Sequence, residues 1–348
     1  MEITIRKLEQ NETKEAIKVA RKAFGIIGYI FIGKPKHGLV AVVNNKIVGG
    51  VFYYTKDANE NKIGVVSFLF SDPNFQGHGI AGKLLDKCVD VLWAQNCDAL
   101  ITYVQDDTVA SWAAFEKRGF VRTSFLKSAK ALGMPLAIKC QTLFTETFAF
   151  CVGADFYMAL PDKDAEKELK RKDSTAIQMP LFILANLILT AILIIRSNEP
   201  LLVAASITLV FAGVITAGWV GTWFSERVWQ FRLTQGGFLI TPLLSFFAFY
   251  PLIGNWYPLK YENTPEFKRD MAFNSILVWL FLFAIMISGR LVDNATLRVM
   301  REVTVFLLLY RCVPIVPFSS YGSERVFRWN KAVYGALAVA SILLIFVF

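Results

Sequence analysis

The sequence predicts a chain of two parts, an α/β domain with a mixed central sheet followed by an all-α polytopic membrane domain of about six helices. Two observations predict this division. The first 178 residues hold 44 charged side chains, whereas the last 170 hold 21. The first part also alternates strand-like and helix-like patterns, whereas the second consists mostly of long apolar runs. With 55% hydrophobic residues, the chain is neither a disordered protein nor an ordinary soluble enzyme.

The first 125 residues show elements in the order β, α, β, β, β, α, β, α, β. A helix is predicted over 12–24, and Asn44 and Asn45 separate two β-branched runs as the turn of a hairpin. An apolar strand over 64–73 follows. The helix after it is predicted to bury one face, formed by Leu84, Leu85, Cys88, Val89 and Leu92.

Between 127 and 161 the pattern is less regular. We expect an amphipathic excursion there, which either contacts the membrane interface or packs as a partly buried helix of the same domain. A last strand is predicted near 155–160. The charged stretch 161–178 is then expected to form a solvated connector.

Six apolar runs beyond the connector predict the membrane domain, since a helix needs roughly 20 residues to cross a hydrocarbon core of about 30 Å. The runs lie at 179–195, 201–224, 237–254, 272–289, 303–318 and 332–348. Prolines interrupt the third and fifth runs, which favours broken or re-entrant helices there. The connector and the loops on its side of the membrane hold ten Lys and Arg residues, and the opposite loops hold seven. The N-terminal domain is therefore predicted to lie in the cytosol.

The cysteine spacing and the charge distribution argue against a zinc protein and a nucleic-acid-binding protein. Five scattered cysteines without a CxxC pair indicate reduced thiols and no zinc site, so no metal is expected. The net charge is +9, but no long basic run is interleaved with aromatic residues. Nucleic acid is therefore not an expected partner.

The stretch DPNFQGHGIAGKLL, 72–85, carries the strongest functional signal. A strand ends, a glycine-bearing turn follows, and an amphipathic helix begins. Such a turn aims free backbone N–H groups and the positive end of the helix dipole at one point, and Gly77 and Gly79 allow a close approach. The segment therefore predicts an anion site that suits a pyrophosphate. The alternative is a tight strand-to-helix connection without a ligand.

The pattern Gln76-x-x-Gly79-x-Ala81, with an apolar strand before it and helix, strand, helix and FEKRGF after it, resembles the GNAT acyltransferase superfamily. The resemblance covers roughly residues 1–125 and reaches towards 160. It implies a co-substrate, acetyl-CoA or another acyl-CoA, with its pyrophosphate on the turn and its pantetheine beside FLFSD. The residues implied to bind it are Phe70, Gln76, Gly77, His78, Gly79, Ile80 and Ala81.

The predicted catalytic residues depart from the family pattern. Phe115 stands where many members have a tyrosine that protonates the leaving thiolate, and the strand IGVVSFLFSD has no glutamate to act as base. The candidates for acid and base are Asp106, Asp107, Tyr103 and His78. Each has a structural alternative: the two aspartates as caps of the next helix, and Tyr103 as a core residue. His78 also reads as a solvated loop residue.

From Gly218 the membrane half is weakly similar to the core of the site-2 protease family, on GWVGTWFSERVWQFRLTQGG and the later PFSSYGSERVFRW. That family binds zinc through HExxH and a later aspartate. The corresponding residues here are Gly218, Trp219, Thr222 and Tyr321, so every ligand is missing. The resemblance implies a zinc-free scaffold, and an unrelated six-helix module is the alternative.

These patterns divide the chain into a GNAT-like acyl-CoA-binding domain at 1–160, the connector at 161–178 and a transmembrane domain at 179–348. The predicted function is a membrane-anchored, multi-pass N-acyltransferase, acetyl-CoA dependent by default, that transfers its acyl group directly to an amine. Its expected partners are the lipid bilayer and an amine substrate, and oligomers are compatible with the sequence. The main alternative is a non-catalytic membrane sensor or regulator with a degenerate acyltransferase fold. A transporter with a cytosolic domain ranks last.

Overall fold

The computed structural model describes residues 2–30, 32–58, 60–75, 77–105, 108–145, 153–162, 169–170, 174–238, 240–262, 264–314 and 318–347. The chain divides into two compact units. The first consists of Met1–Ala149 and Asp155–Arg171, and the second of Phe150–Ala154 and Lys172–Phe348. Each unit has buried hydrophobic clusters of its own.

The first unit is an α/β domain. Its elements are β1 Thr4–Lys7, α1 Thr13–Ile30, β2 His37–Val43, β3 Lys46–Ala58, β4 Asn61–Ser71, α2 Ile80–Trp93, β5 Ala99–Gln105, α3 Val109–Glu116, β6 Val121–Arg122, α4 Phe125–Leu132, α5 Met134–Thr142 and β7 Ala154–Ala159. The strands form one sheet in the order β1-β2-β3-β4-β5-β7-β6. Strands β1 to β4 pair antiparallel in sequence, and β4 pairs parallel with β5. The mixed sheet is as expected.

Local sequence signals account for the elements that border the site. Asn44 and Asn45 both have positive φ, 49° and 58°, as the tight turn between β2 and β3 requires. The apolar face predicted for α2 is buried. This helix lies close to β3 because Gly49 has no side chain: a Cβ atom there would lie 2.9 Å from Ile80 Cγ2. The glycine thus fixes where α2 begins relative to the sheet.

Helices α4 and α5 occupy the region where we expected an amphipathic excursion. Helix α5 buries Leu136 and Cys140 against the sheet, while Met134 and Ile138 are exposed. The partly buried helix is therefore confirmed, and contact of its outer face with a membrane interface stays a prediction. The last strand near 155–160 is confirmed as β7.

The second unit is mainly helical. Its elements are α6 Thr175–Leu189, α7 Ala191–Ile195, α8 Pro200–Thr222, β8 Trp229–Leu233, α9 Ile240–Leu244, β9 Gly254–Pro258, α10 Pro265–Leu291, α11 Ala295–Arg311, α12 Ser323–Trp329 and α13 Lys331–Phe346. Strands β8 and β9 form a two-stranded antiparallel sheet. By length and apolar composition, α8 and α10 are long enough to cross a membrane, and α6 and α13 are shorter apolar helices.

The six-helix membrane domain is not confirmed, and the described part of the third run does not form one continuous helix, in line with the break expected at its prolines. The described part of 237–254 holds only the five-residue helix α9, and the chain then enters β9. Gly237 has φ 92°, and Pro242 and Pro251 lack the backbone N–H that a helix interior needs. Part of this segment packs in the unit's own core, through Phe249, Tyr250, Leu252 and Ile253, whereas Leu243, Phe246 and Phe247 are exposed.

The helix packing of this unit generates a test of the fold. A Cβ atom at Gly221 of α8 would lie 2.6 Å from the Cα atom of Asn274 in α10, whereas one at Gly335 of α13 would meet nothing within 4 Å. Gly221→Val should therefore destabilise the protein by about 1–3 kcal/mol through overpacking. The matched variant Gly335→Val should change stability by less than about 0.5 kcal/mol. Thermal unfolding of the purified chain in detergent measures both, and equal melting temperatures would contradict this helix contact.

Candidate active site

The central feature of the first unit is a gap between two neighbouring strands. The parallel ladder joins Ile63, Gly64 and Val65 to Ala99, Leu100 and Ile101, and it extends no further among the described residues. Both strands continue, β4 to Ser71 and β5 to Gln105. Beyond this point the two strands do not pair with each other among the described residues, and an extended ligand could lie between their edges.

A β-bulge in β4 lies at the start of this gap. Phe52 of β3 pairs with Phe68, and the next residue, Tyr53, pairs with Val66. Ser67 is thus the extra residue on β4. A bulge bends the strand and interrupts its ladder, so it re-aims the backbone where β4 leaves β5.

The turn after β4 is held in place by Asp72. Its carboxylate Oδ1 accepts from the Asn74 N–H at 3.0 Å, and its Oδ2 accepts from Lys22 Nζ at 3.2 Å. The Asp72 N–H donates to the Val48 carbonyl at 2.8 Å. These bonds tie the start of the turn to α1 and β3, so the glycines that follow have a defined position.

Gly77 and Gly79 leave the head of α2 open. Both have left-handed backbone conformations, with φ 83° and 73°, and a Cβ atom on either would meet nothing within 4 Å. Gly79 is the N-cap of α2 and, having no side chain, makes no side-chain cap bond. The first turn of α2 contains no acidic residue. Its first N–H groups lack partners within the helix and lie at the positive end of the helix dipole, as an anion site requires.

The other predicted acyl-CoA-binding residues have different surroundings. Gln76 lies outside the described residues. His78 is exposed, and its Nδ1 lies 3.2 Å from the Phe75 carbonyl oxygen, as a loop residue would. Ile80 is buried against Gly49, and Ala81 is half-buried. The Phe70 ring is buried with the rings of α1 and β3, so only its main chain can meet a ligand in the gap.

Of Tyr103, Asp106 and Asp107, only Tyr103 lies among the described residues. Asp106 and Asp107 lie outside the described residues. The Tyr103 hydroxyl donates to the Gln141 carbonyl at 3.1 Å, and its ring packs against Phe156. Burial raises the pKa of Tyr103 well above its ordinary value. These contacts agree with the alternative reading of Tyr103 as a core residue.

Phe115 occupies a position where this chain departs from the family pattern, and Thr108 lies just before α3. Phe115 is buried, and its ring centroid lies 5.1 Å from that of Phe120. It has no proton to give to a thiolate. The Thr108 hydroxyl donates to the Gln105 carbonyl at 2.6 Å and so closes the turn before α3.

Sequence reasoning missed the side chain that fastens α2 beside the gap. Arg118 donates to both carboxylate oxygens of Asp86, at 2.7 and 2.9 Å, and to the Gly82 carbonyl at 2.7 Å. A third contact goes to the Ala114 carbonyl at 2.7 Å. The guanidinium thus links the first two turns of α2 to the end of α3. The FEKRGF segment held the arginine, but its partners lie about 30 residues earlier, beyond the reach of a local pattern.

A parallel strand pair that parts in front of an open glycine turn and a helix N-terminus can hold an extended ligand that ends in an anionic group. Comparison with known families names this framework. Residues 5–120 match the acetyltransferase (GNAT) family, so this part of the chain is a GNAT domain, as its sequence indicated. The resemblance of the second unit to the site-2 protease core is not shown and stays a prediction. Among the described residues no group of three or more His, Cys, Asp or Glu side chains could hold a metal.

The chain shows similarity to several solved structures, each at low identity and with a TM-score below 0.5. One is the NatC complex bound to Gag peptide and CoA, at 18% identity and TM-score 0.34, covering 47% of this chain and 100% of that one. The ribosomal-protein-S18-alanine N-acetyltransferase of Escherichia coli shows 15% identity and TM-score 0.32, with 49% and 96% coverage. A candidate streptothricin acetyltransferase from Bacillus anthracis str. Ames, in complex with acetyl coenzyme A, shows 18% identity and TM-score 0.31, with 47% and 100% coverage. No curated protein matches the chain.

The thiols of this domain generate a prediction about the reaction path. Cys88 and Cys140 are fully buried, and burial raises the pKa of each to about 12. Only about one such thiol in ten thousand is ionised at pH 8, so neither can act as a nucleophile. Iodoacetamide at pH 8 should leave both unmodified in the native chain and label both in guanidinium chloride, as read by peptide mass spectrometry. Labelling of native Cys88 or Cys140, or an acetyl group trapped on either, would contradict this.

Proposed function

We propose that this chain is an acyl-CoA-dependent N-acyltransferase, with acetyl as the default acyl group, whose second unit is embedded in a membrane. The observation that carries the acyltransferase part is the parting of β4 and β5 directly before the unobstructed turn at Gly77 and Gly79. The domain belongs to a family of acetyltransferases, which supports the donor class.

In this proposal the main chain binds the donor. The free N–H groups at Gly79, Ile80 and Ala81 would hold the pyrophosphate, since the open glycines let two phosphate groups approach the backbone. The edge of β4 beyond Val65 would pair with the amide groups of the pantetheine arm. The thioester that this co-substrate supplies is the electrophile for the amine.

Positioning supplies most of the proposed rate enhancement. A neutral amine held against a thioester needs little acid catalysis, because thiolate is a good leaving group and fixing the two reactants converts a bimolecular step into an intramolecular one. The described residues around the gap offer no hydroxyl at Phe115, and Tyr103 is bonded to Gln141. Asp106 and Asp107 remain the proposed bases.

A second candidate function is a sensor that binds acyl-CoA without turnover. The buried, hydroxyl-free Phe115 favours it, because nothing at that position can protonate a departing thiolate. Release of free thiol from acetyl-CoA with a mixed pool of amines separates the two functions. Steady release supports the acyltransferase, and tight binding without release supports the sensor.

The membrane location is supported by the outer faces of the second unit. Helix α6 exposes large aliphatic residues at helical spacing, at Ile177, Leu181, Leu184 and Ile188. The lengths of α8 and α10, 23 and 27 residues, exceed the roughly 20 that a bilayer requires. A core helix of a soluble protein turns a polar face outward, whereas these helices present apolar side chains to their surroundings.

The alternation of the helices supports an orientation. Going along the chain, α6 with α7, α8, α10, α11 and α13 would make five crossings. The connections and adjoining helix ends on the side where α6 begins carry Arg227, Arg232, Lys260 and Lys331, among other basic residues, whereas those on the opposite side carry Arg196, Arg290, Arg298 and Arg301. By the positive-inside rule, the side of the connector and the GNAT domain faces the cytosol.

The donor site is tested by two isosteric variants at one position. Asparagine tolerates the left-handed backbone of Gly79 and adds no charge, whereas aspartate adds a negative charge where the pyrophosphate would lie. Gly79→Asp should weaken acetyl-CoA binding at least about tenfold more than Gly79→Asn, because of charge repulsion. Calorimetric titration of the full chain measures this. Equal affinities, or no binding of acetyl-CoA by the unchanged chain, would remove the proposed function.

The orientation is tested by single cysteines in exposed connections. Asp293→Cys, between α10 and α11, should react with a membrane-impermeant maleimide in intact cells, whereas Lys260→Cys, between β9 and α10, should react only after lysis. Each substitution is made in a chain whose native cysteines are replaced by serine. The reverse labelling pattern would place the GNAT domain outside the cytosol, and equal labelling of both positions would contradict the membrane crossing.

A further inference from the structure

Besides the gap between β4 and β5, the GNAT domain has a pocket on the sheet face that carries α1 and α5. It is bordered by the loop after α1, residues 33–36, and by the end of α5, and its floor is formed by β3 and β4. Its volume is about 220 Å³, enough for a small polar molecule. Ser67, the extra residue of the β4 bulge, is part of the lining. The pocket therefore reaches the point where β4 begins to leave β5.

This position suits the pocket to bind the acceptor of the reaction. The inference rests on the proposed function. The donor's thioester arm would lie along β4 beyond Val65, and a molecule in the pocket would contact the same strand from the sheet face at Ser67. An acceptor must bring its nitrogen within van der Waals distance of the thioester carbon. The pocket borders the strand on which the thioester arm is proposed to lie, so we place the acceptor there.

The charged side chains among the described residues that line the pocket are all positive. Lys34, Lys36 and Lys56 line it, and the described lining residues include no aspartate or glutamate. Asp57 follows Lys56 on β3, but successive side chains of a strand point to opposite faces. The Lys56 ammonium lies 5.7 Å from the centroid of the Tyr54 ring, whose hydroxyl donates to the Phe144 carbonyl at 2.6 Å. The ring thus fixes one wall beside the lysine.

Three ammonium groups would repel a simple alkylamine, which is a cation at neutral pH. An acceptor with an anionic group of its own would gain attraction from the same lysines. Nearby positive charges also favour the neutral form of an amine, because they lower the pKa of its ammonium. The lysines could therefore replace part of the work of a general base.

We propose that the acceptor is a primary amine that bears a carboxylate or phosphate a few bonds from its nitrogen, bound by Lys34, Lys36 and Lys56. The amine nitrogen attacks the thioester carbon, so a C–N bond forms and the C–S bond breaks. The electron pair of that bond leaves with sulfur, and the proton lost from nitrogen is taken up, through solvent, by the thiolate. The products are an N-acyl anionic amine and free coenzyme A.

The inference is tested by binding of matched probes to the full chain in detergent, without donor. 4-Aminobutyrate, butylamine and 1,4-diaminobutane differ only in the end group of a four-carbon chain. 4-Aminobutyrate should bind at least about tenfold more tightly than butylamine, and the diamine most weakly, since a charge pair near a protein surface changes affinity by about that factor. Equal binding of the three probes, or tighter binding of the diamine, overturns the inference.

Variants then assign the preference to the lysines. The triple variant K34Q/K36Q/K56Q should lose the preference for 4-aminobutyrate while binding butylamine as before. The control is Lys87→Gln, an exposed lysine of α2 outside the pocket lining, which should keep the preference. A preference retained by the triple variant overturns the assignment.

Acetyl-CoA titration of the same preparation separates this inference from the proposed function. A chain that binds acetyl-CoA without preferring 4-aminobutyrate overturns the inference alone. A chain that prefers 4-aminobutyrate without binding acetyl-CoA overturns the acyltransferase function and the acceptor role that rests on it. With donor present, acetylated phosphoethanolamine in solution supports a soluble acceptor, and acetylated phosphatidylethanolamine in nanodiscs supports a lipid headgroup. Acetylation of butylamine in preference to both overturns the inference.

Discussion

The parting of β4 and β5 is the constraint on which the site depends. Two strands that stop pairing with each other while both continue leave two facing edges between which a ligand or water can lie. The bulge at Ser67 makes the parting permanent. Beyond it, Phe68 and Phe70 are buried in the cluster under α1, so β4 cannot swing back to β5 without pulling two aromatic rings out of the core. The free-energy cost of exposing these two rings to water therefore keeps the gap open before any ligand binds.

The same constraint explains why so little side-chain chemistry is present. The backbone holds the anion site and the strand edge, and neither depends on the identity of a catalytic side chain. Gly77 and Gly79 are needed because they lack a side chain, and Arg118 acts at a distance by fastening α2 to α3. A domain built this way can bind a donor while Phe115 offers no proton, so turnover depends on how well the acceptor is held. In the proposed reaction, the pocket with Lys34, Lys36 and Lys56 would therefore have to hold the acceptor in position.

What could be predicted from the sequence was local. The turn at Asn44 and Asn45, the buried face of α2 and the strand at β7 each follow from a pattern within about fifteen residues, and all three are confirmed. The parting of the strands, the bond from Tyr103 to the Gln141 carbonyl and the lysine pocket join residues far apart in the chain, and no periodicity encodes them. The third apolar run was predicted as a span but is not a continuous helix, for another reason. An apolar run does not show whether lipid or the segment's own unit covers its side chains.

The polar groups inside the second unit favour a scaffold over a transport path. The Asn274 amide donates to the Gly218 carbonyl at 2.5 Å, and its oxygen accepts from Arg325 at 3.2 Å. Asn186 accepts from the Leu252 N–H at 2.7 Å and donates to the Phe182 carbonyl at 3.0 Å. Hydrogen bonds of this kind hold helices and loops together where no water is available to replace them. A transport site needs polar groups that exchange partners with a passing ion or solute. Asparagines whose oxygen and nitrogen both bond protein are held in place by the fold, so they brace the unit instead of lining a route.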